Sequence, residues 1–323
     1  MEKTRTIAQP RRQSTARSRR AASLSVLAGA LCLSGSAVLV KLAGVDPSTT
    51  AVLRCAIACA FLVPLALWER RRRGAASRTA TLWAVVAGIA LGVDYAAWTA
   101  SIYHVGAGIS TVLVNVQVIV LPALAFAFDG ERPPRRFLLA VPAMGAGIVM
   151  VGGIGAGAGT GGDRVVSGTV LGVLAGVGYA VYLYLTRRGN RASPGKTVQS
   201  LAWATLSAAI TAALLAPFGS GLDITGISAR SWLLLLLLAV LGQVIAWMFI
   251  NTGSAELAPS TTAALLLVHP ILALALAAAV LAERPQPTQL VGAVLVVTGV
   301  AVAGNAVPGA VALLPRGKRG AGR

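Results

Sequence analysis

Gly130-Glu131-Arg132-Pro133 returns later in the chain as Ala282-Glu283-Arg284-Pro285, each time between two long apolar runs. A single polar turn of this kind marks an exposed connection and nothing more. Two of them with matching flanks mark a duplication. Downstream, Gly147 and Gly152 fall on Gly299 and Gly304 at one constant offset. Upstream, Ser110-Thr111 answers Ser260-Thr261 and Ala97-Trp98 answers Ala246-Trp247, after small shifts in the loops. The chain reads as one unit used twice.

Of its 323 residues, 56% are hydrophobic and 12% charged, and the mean hydropathy is +0.77. A soluble protein of this size has too little interior to hide so much apolar surface, so the composition specifies an integral membrane protein. Small residues recur at helical spacing: Gly168, Gly172 and Gly176 in one run, and Ala28, Cys32 and Ser36 in another. Such rows let helices approach closely in lipid. The net charge of +18 would suggest nucleic acid if taken alone. The basic groups sit in short loops between apolar runs instead of along one face, which argues against a nucleic-acid partner. Cys32, Cys55 and Cys59 all lie inside apolar runs, without the spacing of a metal site or a disulfide framework. No cofactor is expected.

Spanning the hydrocarbon core takes roughly 20 apolar residues. Ten runs qualify: Ala22–Ala43, Thr49–Trp68, Ala80–Tyr103, Gly108–Phe128 and Phe137–Ile154, then Ser167–Leu185, Thr197–Phe218, Ser231–Ile250, Pro259–Leu281 and Thr288–Ala306. The expected organisation is a disordered basic tail over 1–21, a first five-helix repeat over 22–154, a Gly-rich linker over 155–166, a second repeat over 167–306 and a basic tail over 307–323. With the N-terminus placed inside, 23 of the 28 basic residues fall in inner segments. The exceptions are Lys41, Arg54, Arg164, Arg230 and Arg284. This is the positive-inside pattern, and it puts both termini in the cytoplasm of a cell bounded by this plasma membrane. Five helices is an odd number, so the second copy enters the bilayer from the opposite side. The expected fold is therefore all-α, with ten transmembrane helices in two inverted five-helix repeats, an architecture common among secondary transporters.

Ten helices in two halves, each with a helix, a Glu-Arg-Pro turn and a closing Gly-containing helix, resemble the EamA-type transporters of the drug/metabolite transporter superfamily. Asp46-Pro47 followed by Arg54 in the second helix is similar to that family's pattern of an Arg after a periplasmic turn. The likeness covers residues 22–306. Where the family often carries Glu or Gln before a Pro in the ninth helix, this chain has His269-Pro270, and the first half has Gln117 without the Pro. The resemblance implies export or exchange of small metabolites, amino acids or drugs without ATP.

Other motifs narrow the reading. Gly195-Lys196-Thr197 looks like the end of a phosphate loop, but the Gly needed five residues earlier is Asn190, so it reads as a turn. Two histidines, His104 and His269, are too few for paired haem ligation or a metalloprotease. His104 sits at a helix end, and His269 lies mid-helix beside Pro270, as a packed core group or a ligand contact.

Asp94, within Leu91-Gly92-Val93-Asp94, is an acid deep in the bilayer. Ionised, it costs about 2.5–3.5 kcal/mol there, so it faces protein or a wet cavity. A buried ion pair with Arg54 or Lys41 and a substrate or proton-coupling contact are both open. Trp98 follows Asp94 by one helical turn, and Gln243 and Trp247 repeat the pattern in the second half. The candidate substrate-binding set is Asp94, Trp98, Gln243, Trp247, His269, Gln117 and Arg54, taking a small-molecule substrate with proton or counter-substrate coupling. A membrane-embedded enzyme acting on lipid and a non-transporting subunit are the alternatives. Against the enzyme, the chain lacks Gly-x-Ser-x-Gly, His-Glu-x-x-His and a second acid at the depth of Asp94.

Overall fold

The computed structural model describes residues 16–131, 135–151, 162–254, 257 and 265–303. The expectations for Arg132-Pro133, Gly152, linker residues 155–161, Ser260-Thr261, Gly304 and the two chain ends lie outside them. Among the described residues every regular element is a helix. Seven helices are long and apolar enough to cross a membrane and three further apolar ones are shorter. In lipid each backbone polar group must be satisfied within its own segment, and helices do that.

The first span is α1 (Ala16–Ser34) followed, after Gly35, by α2 (Ser36–Ala43). Next come α3 (Pro47–Arg73) and α4 (Arg78–Val105). The fourth span is α5 (Ala107–Leu113), a tight 3-10 turn over Val114–Val116, and α6 (Gln117–Asp129). The first half closes with α7 (Arg135–Val151). The second half has α8 (Gly162–Ala192), α9 (Thr197–Leu215), α10 (Ala229–Ala239), a π turn over Val240–Ile245, α11 (Ala246–Ser254), α12 (Val268–Leu281) and α13 (Pro287–Ala303).

Starts are set by side-chain caps. Asp46 accepts from Thr49 N at 2.9 Å ahead of α3, Ser77 from Ala80 N at 3.2 Å ahead of α4, and Ser228 from Ser231 N at 3.1 Å ahead of α10. Two boundaries move relative to the sequence reading. Helix α1 reaches back over residues 16–21 of the expected tail, and α8 over residues 162–166 of the expected linker. Outside the hydrocarbon a helix continues while its ends suit the dipole, and Asp163 in the first turn of α8 does so.

The duplication is written into the backbone. At the end of α6, Gly130 takes a left-handed φ of 68° and Glu131 N donates to Ala125 O at 3.2 Å. At the end of α12, Ala282 takes φ 53° and Glu283 N donates to Ala277 O at 3.2 Å. This is the same helix-terminating motif twice. In the second copy it forces the one positive φ outside glycine among the described residues.

Packing obeys the same exchange. Helix α3 packs on α9, α7 on α13 and α5 on α12, each pair joining corresponding spans of the two halves. Helix α4 packs along α8, and the exchanged pair, α1 with α11 and α2 with α10, does likewise. At the α7–α13 crossing a Cβ on Gly147 would meet Gly292 O at 2.6 Å, and a Cβ on Gly292 would meet Gly147 O at 2.6 Å. Backbones touch there because neither residue has a side chain. The two halves form inverted five-helix repeats around one shared axis.

The α3–α9 pair is tied at both membrane faces. On the face of Glu131, Arg73 Nη1 donates to Gly195 O at 2.8 Å and Gln199 N to Glu69 Oε2 at 3.0 Å. Lys196 Nζ reaches Ala75 O at 2.5 Å, so Gly195-Lys196 is a turn stitched to the neighbouring loop. On the face of Glu283, Ser220 Oγ donates to Asp46 Oδ1 at 2.7 Å and Asp223 N to Thr49 Oγ1 at 2.9 Å. Asp223 also accepts from the hydroxyl and N–H of Thr225, which hold its carboxyl below the usual carboxylate range.

Candidate functional site

Two spans are interrupted at matching places. In the fourth, the helix tightens to a 3-10 turn over Val114–Val116 before α6 starts at Gln117. Asn115 drives the change: its Nδ2 donates to Thr111 O at 3.0 Å and Val112 O at 3.3 Å, competing with the helical ladder. In the ninth, the helix breaks at Leu267 and α12 resumes at Val268. There Pro270 has no N–H to give and its ring disfavours a regular turn before it. Gln117 and His269 thus stand in corresponding positions just past each break.

The breaks border a cavity of about 420 Å³ between the halves. Arg54, Asp94, Trp98, Gln117, Trp247 and His269 line it, together with Ser36, Tyr95, Thr111, Asn115, Tyr179 and Asn251. Asp94 is only 4% exposed. It makes no direct ion pair with Arg54 or with Lys41, whose ammonium lies 5.2 Å from the centre of the Tyr103 ring. Arg54, 1% exposed, lays its guanidinium 3.9 Å from the Tyr95 ring centre and 5.3 Å from that of Trp98. Its Nε and Nη1 have no acceptor. An arginine held by aromatic faces keeps its charge without a counter-ion in contact. Trp247 packs edge-on against Tyr179 and Tyr182, at 6.0 and 5.7 Å between centres. Its Nε1, like Gln117 Oε1, has no partner. His269 O accepts from Ser34 Oγ at 3.2 Å, which fastens the broken ninth span to α1.

Gln243 corrects the sequence reading. It does not line the cavity. It is fully buried, accepts from the Tyr95 hydroxyl and donates through Nε2 to Thr205 Oγ1 at 3.2 Å. Gln243 sits in the π turn over Val240–Ile245, and its amide is taken up by Tyr95 and Thr205 from other spans, so it braces the wall where Trp247, four residues on, lines the cavity. Tyr95, Asn115, Tyr179 and Asn251 were missed. Asn115, an amide within an apolar run two residues before Gln117, and Asn251, an amide directly after Ala246–Ile250, carried a signal.

The cavity is closed toward one membrane face. All seven residues of α5 are buried, so that helix is covered on every side. Along α6 only Ala125 is buried, and Gln117–Pro122 are all partly exposed. The cavity is thus covered toward Glu283.

An inverted repeat with interrupted helices around a central, mostly apolar cavity that carries a few polar and charged side chains defines the class of secondary transporters. The EamA-like transporter family model matches residues 20–153 and again 166–304, and the chain belongs to that family. Membership carries secondary transport of a small molecule in a multi-pass membrane protein, not enzymatic conversion. Among solved structures, one described as "Crystal structure of protein" is similar over 88% of this chain and 96% of its own, with a TM-score of 0.59 and 20% identity. At that identity the likeness concerns the fold. No curated protein matches the chain.

Proposed function

We propose that this chain exports or exchanges a small organic solute, a metabolite, amino acid or drug-like molecule, by alternating access through the central cavity. The observation that carries the reading is the pair of breaks, over Val114–Val116 and at Leu267, which let both halves present polar groups to one chamber. The repeats at 22–154 and 167–306 supply the two halves. Asp94 and Arg54 offer opposite charges not consumed by each other, and Trp98, Tyr179 and Trp247 offer ring faces for the body of the solute. Asp94 is also the group through which a proton or counter-substrate gradient would act. The basic loops support a plasma-membrane orientation with both termini cytoplasmic. In that orientation the Glu131 face is cytoplasmic and the covered end of the cavity, over α5, is the outer one.

The test is flux in proteoliposomes loaded with a fractionated metabolite extract, with and without a pH gradient. The expected result is a solute that crosses unchanged, at a rate that collapses in Asp94→Asn. A solute that is chemically converted, or protein that moves none of the fractions, overturns the proposal. Orientation is read by an impermeant thiol reagent on single cysteines at Gly74 and Leu222, expected to react from opposite sides.

A further inference from the structure

We propose that Glu283 is a latch that holds the cavity shut on its own membrane face, and that opening to that face requires its carboxylate to leave the start of the fourth span. Glu283 Oε1 accepts from Ala107 N at 2.8 Å and Oε2 from Gly108 N at 3.3 Å. These are two of the N–H groups that a helix start leaves without partners. The fourth span, Ala107–Asp129, begins at this contact. Gly106 makes the corner with φ +91°, and a Cβ there would come within 2.8 Å of the Glu283 carboxylate. The carboxylate thus ties the α4–α5 corner to the far end of α12, directly over the fully buried α5.

Glu131 follows the same left-handed turn in the first half. Its carboxylate is about half exposed, at 46%, and among the described residues it meets Arg187 at 3.4 Å and Arg191 at 3.6 Å. The helix it terminates, α6, has one buried residue, Ala125, where all seven of α5 are buried. The docked Glu283 carboxylate therefore lies on the face where the cavity is covered. The ties of the α3–α9 pair are present on both faces and do not distinguish them. The inference rests on the reading that the cavity alternates, and the experiment separates the two.

A cavity reporter cysteine at Val114, in a background lacking Cys32, Cys55 and Cys59, is labelled by an impermeant maleimide from each face in oriented vesicles. With Glu283 intact, labelling is expected from the Glu131 face. In Glu283→Gln, labelling from the Glu283 face should rise by roughly tenfold, as losing about 1.4 kcal/mol of closed-state preference gives, and labelling from the Glu131 face should fall. Glu283→Asp keeps the charge but draws it back by one carbon, and should give a smaller shift in the same direction. Glu131→Gln should give no rise from the Glu283 face. If the Glu283 variants lower thermal stability while accessibility stays as in the parent, Glu283 is a helix cap and the latch is overturned. If Val114→Cys reacts from neither face in any variant, the alternating cavity falls, and the latch with it.

Discussion

Asp94 and Gln243 occupy corresponding places in the two repeats, each four residues before a tryptophan, and both are buried. Asp94 stands in the cavity wall with no direct ionic partner. Gln243 stands behind the wall, gripped by Tyr95 and Thr205. The first half thus supplies a charged group to the chamber, and the second supplies a brace. The brace holds Tyr95, and Tyr95 is the ring on which Arg54 lies. Duplication kept the order of the spans, the turns and the crossing pairs alike, because every half must satisfy its backbone in lipid in the same way. The groups facing the cavity escaped that constraint, and Gln243 is drawn out of it by the Tyr95 hydroxyl and Thr205.

The sharpest way to break this comparison is to neutralise each side in turn. Asp94→Asn should lower substrate affinity or flux by roughly 10–100-fold, the equivalent of a charge-assisted hydrogen bond of about 1.5–3 kcal/mol. Its thermal stability should hold or rise, since a buried charge is removed. Gln243→Leu should do the reverse. It orphans the buried hydroxyls of Tyr95 and Thr205, costing about 1–3 kcal/mol in stability, while flux per folded molecule stays within a few-fold of the parent. Equal loss of flux in both variants would end the distinction between chamber and brace.

The tryptophans sharpen it further. Trp247 packs on two tyrosines, so Trp247→Ala should cost about 3–5 kcal/mol as a core truncation. Trp247→Phe should keep the edge contacts and lose at most about 0.5–1.5 kcal/mol of aromatic pairing. Melting curves and binding isotherms on the same purified protein separate the two. The smallest effect belongs to the paired turns. Ala282→Gly should raise stability and Gly130→Ala lower it, each by roughly 1 kcal/mol, because an L side chain in the left-handed region is strained. Matched shifts of opposite sign in thermal denaturation would confirm that the two turns share one geometry.

Much of this architecture was legible in the residues alone. Hydropathy locates spans because lipid admits little but helices, and the two Glu-Arg-Pro turns reveal the duplication because their flanks match. Asp94 and Arg54 could be singled out because charged groups within apolar runs are costly without a use, and Trp98, Trp247, Gln117 and His269 because the repeat or the family resemblance marks their positions. Tyr95 and Tyr179 could not, since an aromatic ring in an apolar run is an ordinary packing residue. Two outcomes depended on tertiary structure. Where the Gln243 amide goes was decided by Tyr95 and Thr205, which reach it from other spans. Which helix start the Glu283 carboxylate caps was decided by the approach of Ala107, 176 residues away in the chain. Local sequence specifies what each turn is made of, whereas the distance between segments far apart in the chain specifies what that turn can hold.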